Sequence, residues 1–289
     1  MTTRRKFKGR NLNGILLLDK AVGLSSAQAL TQARFVFRAN KAGHTGSLDP
    51  NASGLLPVCF GQATKFSGYF LEGSKRYIAT GLLGVVTDSG DTEGKVTEIN
   101  DVGDAVSRLE EIISHFKGTI TQVPLVYSAI KVNGKPLYKY ARAGREIEVP
   151  SRQVTIHEIK LLSTAENSFT IEVFCSKGTY IRTLVADIGQ DLGCGAHVTM
   201  LRRTFVEGLP EGQMHTIDEL RELAAEEDGL NRLDRLLLKI DDALCYMPCI
   251  VMNKEQGLKL CQGQRQDDFS EFSFKGCDQN FTGKVKLKA

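Results

Sequence analysis

Apolar positions recur along this chain with two periods, near two and near 3.6 residues, so both strands and helices are predicted. The run Gly14 to Asp19 is almost wholly apolar and reads as a buried strand. Ser25 and Gln28 have capping-box spacing, and Leu30, Ala33 and Phe37 fall on one side of the helix that follows. From Lys75 to Val86, β-branched and aromatic residues predict strand, with Gly81 and Gly84 as breaks. Asp101 to Lys117 carries one apolar stripe (Val102, Val106, Leu109, Ile113, Phe116), and Gly118 suits its C-terminal cap.

The second half continues in both periods. Phe169, Ile171, Val173 and Cys175 alternate, so Ser168–Cys175 is a strand. A helix then carries Ile181, Leu184, Val185, Ile188 and Leu192 on its core face, with Thr179 as the expected N-cap. Met200 to Thr204 reads as a strand edge, and Ile217–Leu223 and Leu230–Leu238 as helices. From about Met247 the chain turns more polar, with Phe269, Phe272, Phe274 and Phe281 placed as in a small β appendage. At ~40 residues such a unit should pack on the main body, because it is too small to bury a core of its own. These patterns alone establish a mixed α and β protein.

Composition narrows the class. The chain has 289 residues, 42% of them hydrophobic, enough for one large or two modest domains. Its net charge is only +3, so any nucleic-acid role must come from local patches. No apolar run is long enough for a membrane span, and no signal-peptide core follows Arg4, Arg5, Lys6, Lys8 and Arg10. Residues 1–12 read as a basic tail, either solvated or an RNA-contacting arm. The cysteines are scattered and number seven, which fits reduced cytoplasmic thiols. Cys245, Cys249, Cys261 and Cys277 lack zinc-ligand spacing, and no metal site is predicted. Asp88, Asp91 and Glu93 read as hairpin-turn chemistry. There is no repeat, dinucleotide glycine fingerprint or Walker-type loop.

Three stretches carry candidate chemistry. Gly43 to Pro50 sets a histidine and a carboxylate on a glycine-bearing turn, and Pro50 keeps Asp49 out of helical geometry. Asp49 is either a candidate nucleophile or acid/base group, or simply the start of a turn. Arg182 stands in the first turn of its helix, where a cation opposes the helix dipole, so an anionic partner is expected beside it. The segment Val123 to Arg152 carries Lys131, Lys135, Lys139, Arg142, Arg145 and Arg152 interleaved with Tyr127, Tyr138 and Tyr140. Cations with aromatics suit phosphates and unstacked bases of a folded RNA loop; an ordinary solvated insertion has the same composition.

Taken together, Gly43–Pro50, Lys75-Arg76-Tyr77, Tyr127-Ser128-Ala129 and Lys177-Gly178-Thr179-Tyr180-Ile181-Arg182 resemble the TruB family of pseudouridine synthases in its bacterial form. Gly193 to His197 and Leu201-Arg202-Arg203 add to the likeness, which runs from about Asn13 through Arg203. The resemblance implies an α+β pseudouridine-synthase fold, with a central mixed, mainly antiparallel sheet flanked by helices. It implies a catalytic domain over residues 13–245, a basic RNA-binding insertion over 123–152, and a shortened PUA-like β segment over 246–289.

The implied reaction is isomerisation of uridine 55 in the T loop of tRNA to pseudouridine, with no cofactor. The base must be flipped out of the loop. Asp49 is then the catalytic carboxylate and Arg182 its partner. Tyr77 stacks on the flipped uracil, Leu201 walls its other side, and Tyr180 packs beside it. His44 fills the space that the nucleotide leaves, and Lys20 lies near the pocket. The expected partner is the tRNA T-stem loop, and the expected state a cytoplasmic monomer. Two rival functions are a guide-RNA-directed synthase of the dyskerin type and a tRNA-folding chaperone. The chain departs from the family at Ala21, where a proline usually follows the lysine, and in its short C-terminal segment.

Overall fold

In a computed structural model of the chain, which describes residues 9–125, 131–132, 134–136, 140, 147, 149–265, 272–277 and 285–288, one long sheet carries the site. The apolar run becomes β1 (Gly14–Lys20), buried along nearly its whole length. Helix α1 (Ser26–Val36) opens on the expected capping box, in which Ser25 accepts from Gln28 N and the Gln28 side chain takes the Ser25 N–H. There follow β2 (Ala42–His44), β3 (Ala52–Phe60), α2 (Ser67–Glu72), β4 (Lys75–Leu83), β5 (Val85–Thr87) and β6 (Val96–Ile99). Next come α3 (Ala105–His115), β7 (Gly118–Gln122), and the short pair β8 (Lys131–Val132) and β9 (Lys135–Pro136). The rest of the main body holds β10 (Arg152–Ala165), β11 (Ser168–Cys175), α4 (Ile181–Asp191), β12 (Ala196–Val206) and the helices Ile217–Ala225, Gly229–Arg235 and Ile240–Ala243.

The sheet runs β1-β3-β12-β4-β11-β10-β7, with β2 paired beside β3. Its pairings are antiparallel except for β12 with β3, so it is mixed and mainly antiparallel. This corrects one expectation: Met200–Thr204 is no edge. Leu201 to Arg203 pair with Ala52 to Gly54 on one side and with β4 on the other. The close approach needs a glycine at position 54, where φ is +96° and a Cβ would fall 2.2 Å from the Arg203 carbonyl oxygen. Gly81 is also no break. It sits inside β4, where a Cβ would strike Phe169 and Val185; the break is at Gly84, with φ +81°.

Two cores meet across the sheet. In one, α3 and α4 cover β4, β10, β11 and β12 through Leu109, Ile113, Leu184, Val185 and Ile188. In the other, α1 and the helices Ile217–Ala225 and Gly229–Arg235 cover β1 and β3 through Ala33, Phe37, Leu220 and Leu233. Each fully buried aliphatic or aromatic side chain here contributes roughly 1.5–3 kcal/mol. Tyr77 and Leu201 pack against both cores, so the seam between them is rigid on either side.

The ends differ from a tail and a purely β appendage. Arg10 is tied down: its guanidinium pairs with Asp234 at 2.8 Å and donates to the Phe37 carbonyl. Arg4, Arg5, Lys6 and Lys8 lie outside the described residues. The C-terminal segment forms a small sheet of three strands, Ser273–Lys275, Cys249–Val251 and Lys286–Lys288, together with a helix, Lys254–Cys261, that its polar pattern concealed. That helix has its own capping box between Asn253 and Gln256.

Candidate active site

The register of β1 against β3 sets Lys20 opposite Gly54, which brings the turn after β1 against the turn before β3. Lys20 joins them. Its ammonium, on a residue 1% exposed, donates to the carbonyls of Ala21 (2.9 Å), Leu24 (2.6 Å) and Pro50 (3.3 Å). Gly23 N donates to Pro50 O at 2.9 Å, and the Ser26 hydroxyl exchanges hydrogen bonds with both backbone groups of Leu48. The turn bearing Asp49 is therefore held on both flanks, with the Lys20 ammonium bridging the two turns. Burial lowers Lys20 to about 8, with the nearby Asp49 carboxylate pulling it back up.

Asp49 projects from this turn toward α4. Arg182 Nε lies 3.0 Å from Asp49 Oδ2; the arginine side chain is 10% exposed and the aspartate 47%. Arg182 Nη1 also donates to the Ser89 carbonyl at 2.7 Å and to Asp91 Oδ2 at 3.2 Å. Asp91 in turn accepts from the Ser89 hydroxyl and from Glu93 N, at 2.6 and 3.1 Å. The two carboxylates offset the helix-dipole cost of a cation in the first turn of α4. Thr179 does not cap that helix. Its hydroxyl donates instead to Ser176 O, and Tyr180 is the N-cap, with the Gln122 amide bonded to both its N–H and its C=O.

A cavity of about 310 Å³ opens above the pair, lined by Asp49, Tyr77, Tyr180, Arg182 and Leu201 among others. Its volume falls in the range of small-ligand sites. Tyr77 projects from β4 and Leu201 from β12, two neighbouring strands. Burial raises the Tyr77 phenol above its ordinary value, against the pull of Arg203, so it is neutral near pH 7. Burial also raises Tyr180. The Arg152 guanidinium lies over the ring of Tyr180, a cavity-lining residue, 5.2 Å from its centroid.

The other sequence-predicted residues fall elsewhere. Lys20 lies behind the Asp49 turn, engaged with backbone carbonyls. His44 ends β2, outside the cavity wall; its Nδ1 is buried with no hydrogen-bond partner among the described residues, and burial and then Arg203 lower its pKa. Lys131 and Lys135 lie on the β8–β9 pair, while Lys139, Arg142 and Arg145 lie outside the described residues.

Three residues belong to the site although the sequence reading assigned them no role there. Asp91 looked like turn chemistry, because nothing local marks a carboxylate that will be buried against an arginine 91 positions away. Lys75 and Arg203 line the cavity as buried cations. Lys75 donates to the carbonyls of Leu71 and Gly73, and burial lowers it to about 8. Among the described residues, no group of three or more His, Cys, Asp or Glu side chains is placed to hold a metal ion.

Comparison with known proteins places these features in a wider set. Residues 34–181 match the family model for the TruB family pseudouridylate synthase N-terminal domain, and residues 182–245 that for the tRNA pseudouridylate synthase B C-terminal domain. Proteins named tRNA pseudouridine synthase B are similar along nearly the whole chain. The one from Actinobacillus succinogenes is 45% identical over 99% of this chain and 90% of its own length. One from Haemophilus influenzae is 46% identical over 99% and 89%. Among solved structures, a chain of a Cbf5-Nop10-Gar1 complex superposes with a TM-score of 0.66 at 25% identity, covering 86% of this chain and 67% of its own. A chain of an H/ACA ribonucleoprotein bound to a substrate RNA has the same fold, with a TM-score of 0.68 at 22% identity, covering 96% of this chain and 78% of its own.

Proposed function

We propose a tRNA uridine-to-pseudouridine isomerase, proceeding from the fact that this chain belongs to the TruB family of pseudouridylate synthases. Close similarity along nearly the whole chain to proteins named tRNA pseudouridine synthase B makes it an isomerase of that kind. The finer reading is that it acts on uridine 55 in the T loop, as a cytoplasmic monomer with no added cofactor. Among the described residues no helix is long and apolar enough to cross a membrane.

One observation carries the residue assignment: Asp49 meets Arg182 at 3.0 Å in a cavity that Tyr77 and Leu201 also line. A flipped uracil stacks on Tyr77 with Leu201 on its other face. The exposed side of the Asp49 carboxylate then faces the sugar. The C1′–N1 bond breaks with its electron pair leaving on uracil. C1′ either bonds to an Asp49 oxygen or forms a glycal after losing a proton from C2′. The base turns and C5 bonds to C1′, as the Asp49–C1′ bond breaks in the first route or as C2′ takes its proton back in the second; the C5 proton then leaves and N1 takes up a proton. Arg152, which lies over the Tyr180 ring, and the basic insertion hold the RNA backbone.

The test is an unmodified tRNA transcript incubated with this protein alone. Pseudouridine mapped to position 55 supports the reading. Modification that requires a guide RNA or helper proteins favours the dyskerin-type alternative. Accelerated tRNA folding with no pseudouridine favours the chaperone.

A further inference from the structure

We propose that Arg203 is a positioning residue that fixes the spacing of the uracil slot, tying Tyr77 on one wall to the loop bearing Asp49 on the other. The inference rests on the isomerase reading above.

Arg203 is 1% exposed, although its side chain carries a full charge. In β12 its backbone pairs with Tyr77 of β4 on one side and with Gly54 of β3 on the other. Its guanidinium donates from Nε to Leu55 O at 2.7 Å and from Nη2 to Gly46 O at 2.9 Å. The guanidinium charge also lies near the Tyr77 phenol and draws its raised pKa back down. One residue thus joins β4 through its backbone, and β3 and the loop that runs from Gly46 to Asp49 through its guanidinium.

Gly46 records the closeness. Its φ is +71°, and a Cβ there would lie 3.2 Å from Arg203 Nη1. No carboxylate lies within ion-pair distance of Arg203 among the described residues; its guanidinium donates to two backbone carbonyls. A buried charge without a counter-charge is a poor device for stability alone, since an apolar side chain of similar volume avoids the desolvation cost. Its geometric use is clear, because a misplacement of ~1 Å at a reacting centre costs ~10²-fold in rate.

The experiment is single-turnover conversion of T-arm RNA by wild type, Arg203→Lys, Tyr77→Phe and the double variant, with RNA dissociation constants and Tm measured alongside. Arg203→Met, which keeps the volume, is added as a second variant. The expected result is RNA affinity within about twofold of wild type and a saturated rate lower by about tenfold or more for either Arg203 variant. In the Tyr77→Phe background the Arg203→Lys penalty should shrink to under about threefold, because the phenol group beside the guanidinium is gone. Equal penalties in both backgrounds overturn the inference, as does a saturated rate that stays at the wild-type level. Inactive wild type on T-arm RNA overturns the functional reading and this inference with it. Active wild type with additive variants overturns this inference alone.

Discussion

Asp91 Oδ2 lies 3.2 Å from Arg182 Nη1, and each of the two side chains is only 10% exposed. Asp49 holds the same guanidinium from its other side while remaining 47% exposed. The arrangement is asymmetric: Asp91 anchors the cation and Asp49 is presented to the cavity. In a dry site the anchor should matter, because the Coulomb attraction is poorly screened there.

Asp91→Asn should therefore slow catalysis by about 10–100-fold with little change in tRNA affinity, since the arginine loses the partner that aims it at Asp49. Single-turnover rates at saturating protein, beside filter-binding constants, check this. A loss of affinity with an unchanged saturated rate contradicts it.

Lys20→Met should lower stability by about 2–4 kcal/mol, because the carbonyls of Ala21, Leu24 and Pro50 lose a shared donor in a buried place. It should also reduce the catalytic rate through the Asp49 turn. Denaturant midpoints measure the first effect and single-turnover kinetics the second.

Arg152→Ala should weaken tRNA binding and lower the slope of log Kd against log salt by about 0.7–0.9, the loss of one phosphate contact. It also frees the face of Tyr180, which the guanidinium covers at 5.2 Å. Titrations at several salt concentrations give the slope; an unchanged slope removes Arg152 from the RNA interface.

Burial, and then the neighbouring Asp191, raises Asp187 in α4 to about 6 from its ordinary 3.8. The folded state therefore binds more protons than the unfolded state between those values, so this group's contribution to stability falls as pH rises from about 4 to about 6. Asp187→Asn should raise Tm at pH 7–8 by about 2–4 °C per kcal/mol relieved, and make little difference near pH 4. Melting curves across that range test the sign.

The periodic elements were legible because their signals are local. The capping box at Ser25 and the alternation over Ser168–Cys175 need no distant partner. The position of β12 was not legible. Whether a strand is edge or interior depends on what pairs with it, and Gly54, 149 positions earlier, admits Arg203 on the far side. At the site, Arg182 was readable as needing an anion, because a cation opposes the dipole in a helix first turn; that the anion is Asp49 came only with the family resemblance. Asp91 and Arg203 were not readable, since their burial arises only when separated strands and turns converge. The helix Lys254–Cys261 has no buried residue, so hydrophobic periodicity had nothing to report there.

The central claim is that Asp49 performs the chemistry while other residues hold the RNA. The most direct measurement is tritium release from C5-labelled uridine in T-arm RNA by wild type and Asp49→Asn, with RNA affinity determined for both. The account predicts release by wild type, release slowed by about 10⁴-fold or more in the variant, and dissociation constants within about twofold of each other. Tritium release by Asp49→Asn at a rate near that of wild type would contradict it.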